Sequence, residues 1–215
     1  MIMPPSGRGL GLTRVGRADV PRVAALLARA FDEDPLMCYA ISDTRQRRHI
    51  LPWLIGLNVR DGCGYGEVYT TPGCEAAAVW LPPGRTRRTP WRMLRAGMLA
   101  APLRVRWSIL RRLAAVEARA QALHERYAPE PHWYLAQLGV EPAQQRQGIA
   151  SRLLQPMLAH LDAQALPGYL ETENAANVAF YEHCGFRVVA EDAGLPAGLH
   201  IWAMLRAAAG TPGQR

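Results

Sequence analysis

The stretch from Leu138 to Ser151, Leu-Gly-Val-Glu-Pro-Ala-Gln-Gln-Arg-Gln-Gly-Ile-Ala-Ser, holds the residues with the clearest chemical use in this chain. An apolar, aromatic-rich run from His132 to Val140 ends at Glu141-Pro142. A short polar turn follows, and Gly148-Ile149-Ala150 opens a segment of helical apolar periodicity. A strand that stops and hands over to a helix builds an anion site, because the first helical N–H groups have no intrahelical partner and the helix dipole is positive there. Gly148 and Ala150 carry little or no side chain, so a phosphate can approach the backbone closely. The chemistry expected of this corner is the binding of a pyrophosphate. The competing reading, an ordinary strand–turn–helix corner, leaves the helix propensity given up at Gly148 without a structural return.

Composition removes several alternatives. All 25 basic residues are arginine, so there is no lysine for a Schiff base or a P-loop, and arginine stays protonated and cannot act as a general base. Cys38, Cys63, Cys74 and Cys184 are scattered without a Cys-x-x-Cys pair, and the six histidines show no metal-ligand spacing. No disulfide framework, zinc site or other metal centre is expected, and a reducing cytoplasm suits the chain. No apolar run approaches the roughly 18 residues needed to span a membrane, and Met1 to Gly11 lacks the apolar core of a secretory signal. The net charge of +7 is local: residues 85–116 contain nine arginines and no acid, and subtracting them leaves −2 for the remainder.

The elements that must position the anion corner are legible from periodicity and turn residues. A short strand over Gly9–Val15 precedes a helix with Asp19 as N-cap and Pro21 in its first turn. That helix ends in the acidic loop Phe31-Asp32-Glu33-Asp34-Pro35. A second helix is expected from Asp43 to about Arg60, interrupted or kinked at Pro52, before a turn at Asp61-Gly62. Strands Glu67–Thr71 and Ala76–Leu81 follow, and then a helical insertion of about residues 85–128, two helices meeting near Ala101-Pro102. After the strand from His132 come a helix from about Gln147 to Gln164, a strand Tyr169–Glu173, a helix Asn177–Cys184 stopped by Gly185, and strands Arg187–Glu191 and His200–Leu205. The order implies an α/β (α+β) fold in one domain, residues 1–206, with a flexible tail from 207 to 215.

With Gln145-Arg146-Gln147-Gly148-Ile149-Ala150 placed immediately after the fourth strand, this order resembles the GNAT superfamily of acetyl-CoA-dependent N-acetyltransferases. Leu170-Glu171-Thr172-Glu173-Asn174 and Asn177-Val178-Ala179-Phe180-Tyr181-Glu182-His183-Cys184-Gly185-Phe186 are similar to that family's fifth strand, Asn-containing loop and tyrosine helix. Ala30-Phe31, Ala78-Val79-Trp80, His132-Trp133-Tyr134-Leu135 and Ile201-Trp202 resemble the puromycin N-acetyltransferase-like group within it. The resemblance covers residues 10–206, is strongest over 132–187 and is weak in the insertion. It implies a mixed, mostly antiparallel sheet splayed between the fourth and fifth strands, with helices on both faces and a bulge near Gly139. It also implies acetyl-CoA as cosubstrate and direct transfer to an amine, with a small molecule as the acceptor. A protein N-terminus or a polyamine is the alternative acceptor, and a non-catalytic acyl-CoA-binding module is the alternative of another class. No nucleic-acid motif accompanies the basic insertion and no integral membrane segment is present; a homodimer is common on this fold.

By the same resemblance, Leu138, Gly139 and Val140 would pair with the pantetheine arm. Amides of Arg146, Gln147, Gly148, Ile149, Ala150 and Ser151 would hold the pyrophosphate. Asn174 would contact the pantetheine, and Asn177 would cap the tyrosine helix or share that contact. Tyr181 would protonate the leaving thiolate, since a phenol's ordinary pKa near 10 lies close to about 8.5 for a thiol. Its competing role is a core aromatic. Glu171 would take the amine proton, directly or through water, unless it is a structural acid. Asp32, Glu33 and Asp34 would favour a cationic acceptor, unless they form a solvated loop. Cys184 reads as a small buried side chain rather than a nucleophile. The insertion reads as a solvated helical face covering the acceptor end, with anionic membrane and nucleic acid as competing partners.

Overall fold

The computed structural model describes residues 12–129 and 131–208. The start of the expected first strand and the expected tail beyond residue 208 lie outside the described residues. In chain order the elements are β1 (Thr13–Arg14), α1 (Val20–Ala30), α2 (Pro35–Ala40), α3 (Thr44–Tyr65), β2 (Glu67–Thr70), β3 (Ala76–Leu81), α4 (Pro90–Ala96), α5 (Ala101–Arg104), α6 (Trp107–Tyr127), β4 (Trp133–Val140), α7 (Ile149–Ala163), β5 (Gly168–Thr172), α8 (Ala175–His183), β6 (Arg187–Asp192) and β7 (Ile201–Arg206). The seven strands form one sheet in the order β1-β2-β3-β4-β5-β7-β6. Every neighbouring pair is antiparallel except β4–β5.

The parallel pair makes the opening. β4 and β5 are joined only at Trp133↔Gly168 and Tyr134↔Tyr169 and then diverge, so the β4 edge from Leu135 to Val140 faces no strand. The mixed sheet splayed between its fourth and fifth strands is as the family resemblance implies. The bulge is not at Gly139. The register slips where Val79 and Trp80 face Gln137 and Leu135, which makes Ala136 the extra residue. Gly139 serves close packing instead: a Cβ there would stand 2.7 Å from Leu27 Cδ2 and 2.9 Å from Ala30 Cβ on α1.

β3 is buried at every position, as expected for an apolar run covered on both faces. α7 packs Leu153, Leu154, Met157 and Leu161 against one face, while Val23, Leu26 and Leu27 of α1 with Ile55 and Val59 of α3 cover the other. α7 continues through Pro156, and α3 through Pro52.

Several local expectations change under tertiary packing. Asp19 does not cap α1 through its side chain, which accepts from Gly16 N at 3.3 Å. Asp61-Gly62 is not a turn but part of α3. A Cβ on Gly62 would lie 2.6 Å from Val79 Cγ1 and 2.8 Å from Val68 Cγ2, so glycine lets the helix settle onto the sheet. The acidic loop leads into the short helix α2, capped by Asp34, whose Oδ1 accepts from Leu36 N at 3.0 Å and Met37 N at 3.3 Å. The insertion breaks at the left-handed Gly97 and again at Val105, and Ala101-Pro102 opens α5 instead of joining two long helices.

Candidate active site

The turn between β4 and α7 is held from both sides. Glu141 N donates to Glu75 O at 2.7 Å, the Glu141 carboxylate accepts from Arg29 Nε (2.9 and 3.1 Å) and Nη2 (2.7 Å), and Gln145 Nε2 donates to Val140 O at 3.2 Å. The backbone beyond is unusual for its sequence. Arg146 has φ 61° and Gly148 φ 72°, two left-handed residues flanking Gln147. Such alternation turns successive N–H groups toward one concave side. Arg152 N already bonds Gly148 O, but the N–H groups of Ile149, Ala150 and Ser151 meet no carbonyl among the described residues. Gly148 has nothing nearer than Arg152 Nη1, 3.6 Å from where a Cβ would be. Its glycine is required by the positive φ, not by crowding from the protein.

These donors open into a cleft of about 1200 Å³ between the diverging strands. Leu138, Gly139, Val140, Arg146, Gly148, Ile149, Ala150, Ser151, Asn174, Asn177 and Tyr181 all line it, as do Asp32, Glu33 and Asp34 on the opposite wall. Of the expected cofactor set, Gln147 alone does not; its carbonyl accepts from Arg152 Nη1 at 3.2 Å. The exposed β4 edge, the unbonded amides and the bare Cα of Gly148 fit an extended arm ending in a diphosphate.

On the other wall α8 begins earlier than its apolar pattern implied, because Asn174 and not Asn177 is the N-cap: Asn174 Oδ1 accepts from Ala176 N at 3.0 Å. Asn177 Nδ2 donates to Thr172 Oγ1 at 3.5 Å. Tyr181 is only 7% exposed and lines the cleft. Burial pushes its phenol well above the ordinary value, and the ionisable neighbours Cys184, Glu173 and Asp34 would disfavour a phenolate further, so it is held protonated. The Cys184 thiol is also pushed up by burial, which leaves it a neutral neighbour and a poor nucleophile.

Glu171 lies elsewhere. It is covered by α6 and shares a cavity of about 20 Å³ with His124, Tyr134, Thr86, Arg88 and Glu117, away from the cleft. Burial raises its carboxyl to about 8. The Tyr134 and Tyr169 phenols are close enough to favour the carboxylate, but no bond of regular geometry reaches its oxygens and burial outweighs them. His124 Nδ1 stands 3.5 Å from Glu171 Oε1. Burial lowers His124 to about 4, so at neutral pH this is a contact between two uncharged groups and not an ion pair.

Sequence reasoning missed Glu173. β5 ends at Thr172, so Glu173 lies in the short link between the sheet and α8, which begins at Ala175. Burial raises its carboxyl to about 8, with Asp34 the next cause, and burial raises Asp34 to about 6. Neither forms an ion pair among the described residues. Asp32, by contrast, is taken up by Arg48 Nε (2.6 Å) and Arg47 Nε (3.3 Å). The signal available was the spacing of Glu173 immediately before the capping Asn174; nothing in it distinguished Glu173 from Glu171.

The insertion does not line the cleft. α6 instead packs Val116 with Ala120 and Leu123 against Leu195, Leu199 and Ile201 and against Leu36 and Tyr39 of α2. Arg92, counted above with the basic patch, is buried. It binds Asp61 in a fork (Nε–Oδ1 2.9 Å, Nη2–Oδ2 2.6 Å), donates to Arg85 O and Arg87 O, and ties α4 to α3.

Comparison with known proteins agrees with this geometry. The model of the Acetyltransferase (GNAT) family matches residues 113–186. An uncharacterised N-acetyltransferase of Schizosaccharomyces pombe is 26% identical over 181 residues, covering 80% of this chain and 72% of its own. A Corynebacterium glutamicum protein described as histone acetyltransferase HPA2 and related acetyltransferase superposes with a TM-score of 0.63 at 21% identity, covering 94% of this chain and 98% of its own. A putative arylalkylamine N-acetyltransferase 7 of the mosquito Aedes aegypti gives a TM-score of 0.60 at 11% identity, with 90% and 85% covered. Among the described residues no helix is long and apolar enough to cross a membrane, and no group of three or more His, Cys, Asp or Glu could hold a metal ion. The match over residues 113–186 shows a GNAT acetyltransferase family domain within the chain, and the N-acetyltransferase relative supports an acetyl-CoA-dependent N-acyltransferase on the shared fold.

Proposed function

We propose that this enzyme transfers an acetyl group directly to the amine of a small cationic acceptor. The single observation that carries the reading is the convergence on one cleft of unbonded α7 amides, the Tyr181 phenol and the half-buried Asp34, with Glu173 close enough to interact electrostatically with both side chains; neither carboxyl has an arginine partner among the described residues. An ammonium group supplies the positive charge these carboxyls lack.

Acetyl-CoA, when bound, supplies an activated thioester. The amides of residues 146–151 hold its diphosphate, with Gln147 contributing through its backbone only. The free edge of β4 at Leu138, Gly139 and Val140 binds the pantetheine arm, and its amides polarise the acyl carbonyl. Asn174 holds the start of α8, and Asn177 lines the same wall. Glu173, with Asp34 beside it, orients the ammonium and accepts its proton, a role its carboxyl near pH 8 suits better than an ordinary glutamate. Tyr181 keeps its proton until it is needed at the departing sulfur; its raised pKa makes it a hydrogen-bond donor first and completes the proton transfer late. Glu171, outside the cleft, serves the interior under α6.

Calorimetry with acetyl-CoA followed by a free-thiol release assay over small cationic amines, polyamines and N-terminal peptides tests this. Turnover confined to small cationic amines is the expected result. Preference for peptides or polyamines would replace the acceptor, and binding of CoA without transfer to any amine would make the chain an acyl-CoA-binding module.

A further inference from the structure

Among the described residues six large apolar side chains are exposed, and five of them, Trp91, Leu94, Leu99, Leu103 and Trp107, lie on the insertion. Leu103 is 91% and Trp107 72% accessible. These are not residues of a loose segment. Arg92, Ala96, Ala101, Val105 and Ile109, interleaved with them, are buried against the body of the protein, so the outward face is fixed. The cations on that face are equally unpartnered. Arg95, Arg104, Arg106 and Arg111 are exposed and form no ion pair among the described residues, whereas Arg88, Arg92 and Arg112 are taken up by Asp61, Glu117 and the carbonyls of Tyr39 and Ala40.

We infer that this face docks on the surface of an anionic lipid bilayer. Tryptophan and leucine standing proud between guanidinium groups match the boundary where acyl chains give way to phosphate headgroups. The indoles settle at headgroup depth, the leucines reach the acyl boundary, and the arginines bind phosphate oxygens. A second copy of this chain fits less well, because a two-fold contact would set the same acid-free arginine face against itself. A nucleic acid would engage the arginines and leave Leu99 and Leu103 in water. The inference is independent of the acceptor and of the catalytic roles assigned above.

The test is co-sedimentation of the full chain with phosphatidylcholine vesicles with and without phosphatidylglycerol, at low and high salt. Binding is expected only with phosphatidylglycerol and should weaken with salt. Replacing Arg104 and Arg106 by Gln should cost roughly fivefold each. The double variant Leu103→Ser, Trp107→Ser should cost about tenfold or more. All variants should retain acetyl transfer. Failure of the wild type to bind phosphatidylglycerol vesicles would overturn the inference. So would binding unaffected by the apolar double variant, which indicates adsorption by charge alone. A dimer in solution that Leu103→Asp disperses would assign the face to a second copy instead.

Discussion

Replacing Gly148 by alanine separates the backbone cradle from ordinary stability. The residue sits at φ 72°, ψ 9°, a conformation that costs an L-residue about 1–2 kcal/mol. Alanine recovers about 0.4–1 kcal/mol by stiffening the unfolded chain. No protein atom lies closer than 3.6 Å to the new methyl, so no clash is added. The net loss is about 1 kcal/mol, and a chain of this size should melt about 2–4 °C lower. The methyl enters the cleft beside the unbonded N–H groups of Ile149, Ala150 and Ser151. Displacing one phosphate oxygen from such a donor forfeits about 1.5–3 kcal/mol, which is about tenfold to 150-fold in affinity. Titration calorimetry with CoA and with a pantetheine lacking the diphosphate reads the two effects apart. Affinity for CoA should fall by that factor, and affinity for the truncated arm should be the same in both proteins. A variant that melts as calculated yet binds CoA like the wild type would show that no phosphate reaches this backbone, and the site assignment would fail with it.

Tyr181→Phe should lower kcat roughly tenfold or more with an unchanged melting temperature; wild-type turnover would remove the phenol from the chemistry. Asp34→Asn keeps an acceptor for the Leu36 and Met37 amides but deletes a charge that raises Glu173. Glu173 must be ionised to accept a proton, so the rise of kcat/KM with pH should move to lower pH, and an unshifted limb would exclude Glu173 as the base. Glu171→Gln should leave turnover intact and flatten the loss of stability that accompanies rising pH. The folded state holds this proton up to about pH 8 whereas the unfolded chain releases it near 4.5, so the wild type loses stability as pH rises between those values. Thermal melts of both proteins at several pH values check this; parallel curves would refute it. Asp61→Asn should destabilise by about 3 kcal/mol, because it strands the buried Arg92 guanidinium, and should lower the melting temperature by about 6–12 °C. A melt within a degree or two of wild type would mean that the Arg85 and Arg87 carbonyls suffice.

What this chain's amino acids determine alone is local. The corner from Leu138 to Ser151 is legible because a strand end, a glycine and a helix start are neighbours in sequence, and their unpaired amides follow from helix geometry whatever packs around them. The stop of α8 at Gly185, φ 88°, has the same local origin. Even the family resemblance rests on such contiguous segments. The tertiary structure decided everything that depends on which distant groups meet. Glu171 and Glu173 are two residues apart on one run. Only the divergence of β5 from β4 and the cover of α6 send the first into the interior with His124 and bring the second to Asp34 and Tyr181. Asp61 reads as a turn signal until Arg92, from an insertion with no periodic tie to α3, buries it in a helix. Arginines identical in sequence became struts or free surface charges by the same rule. A buried charge finds its place where a partner from elsewhere in the chain compensates its desolvation, and that pairing is a property of the assembled fold.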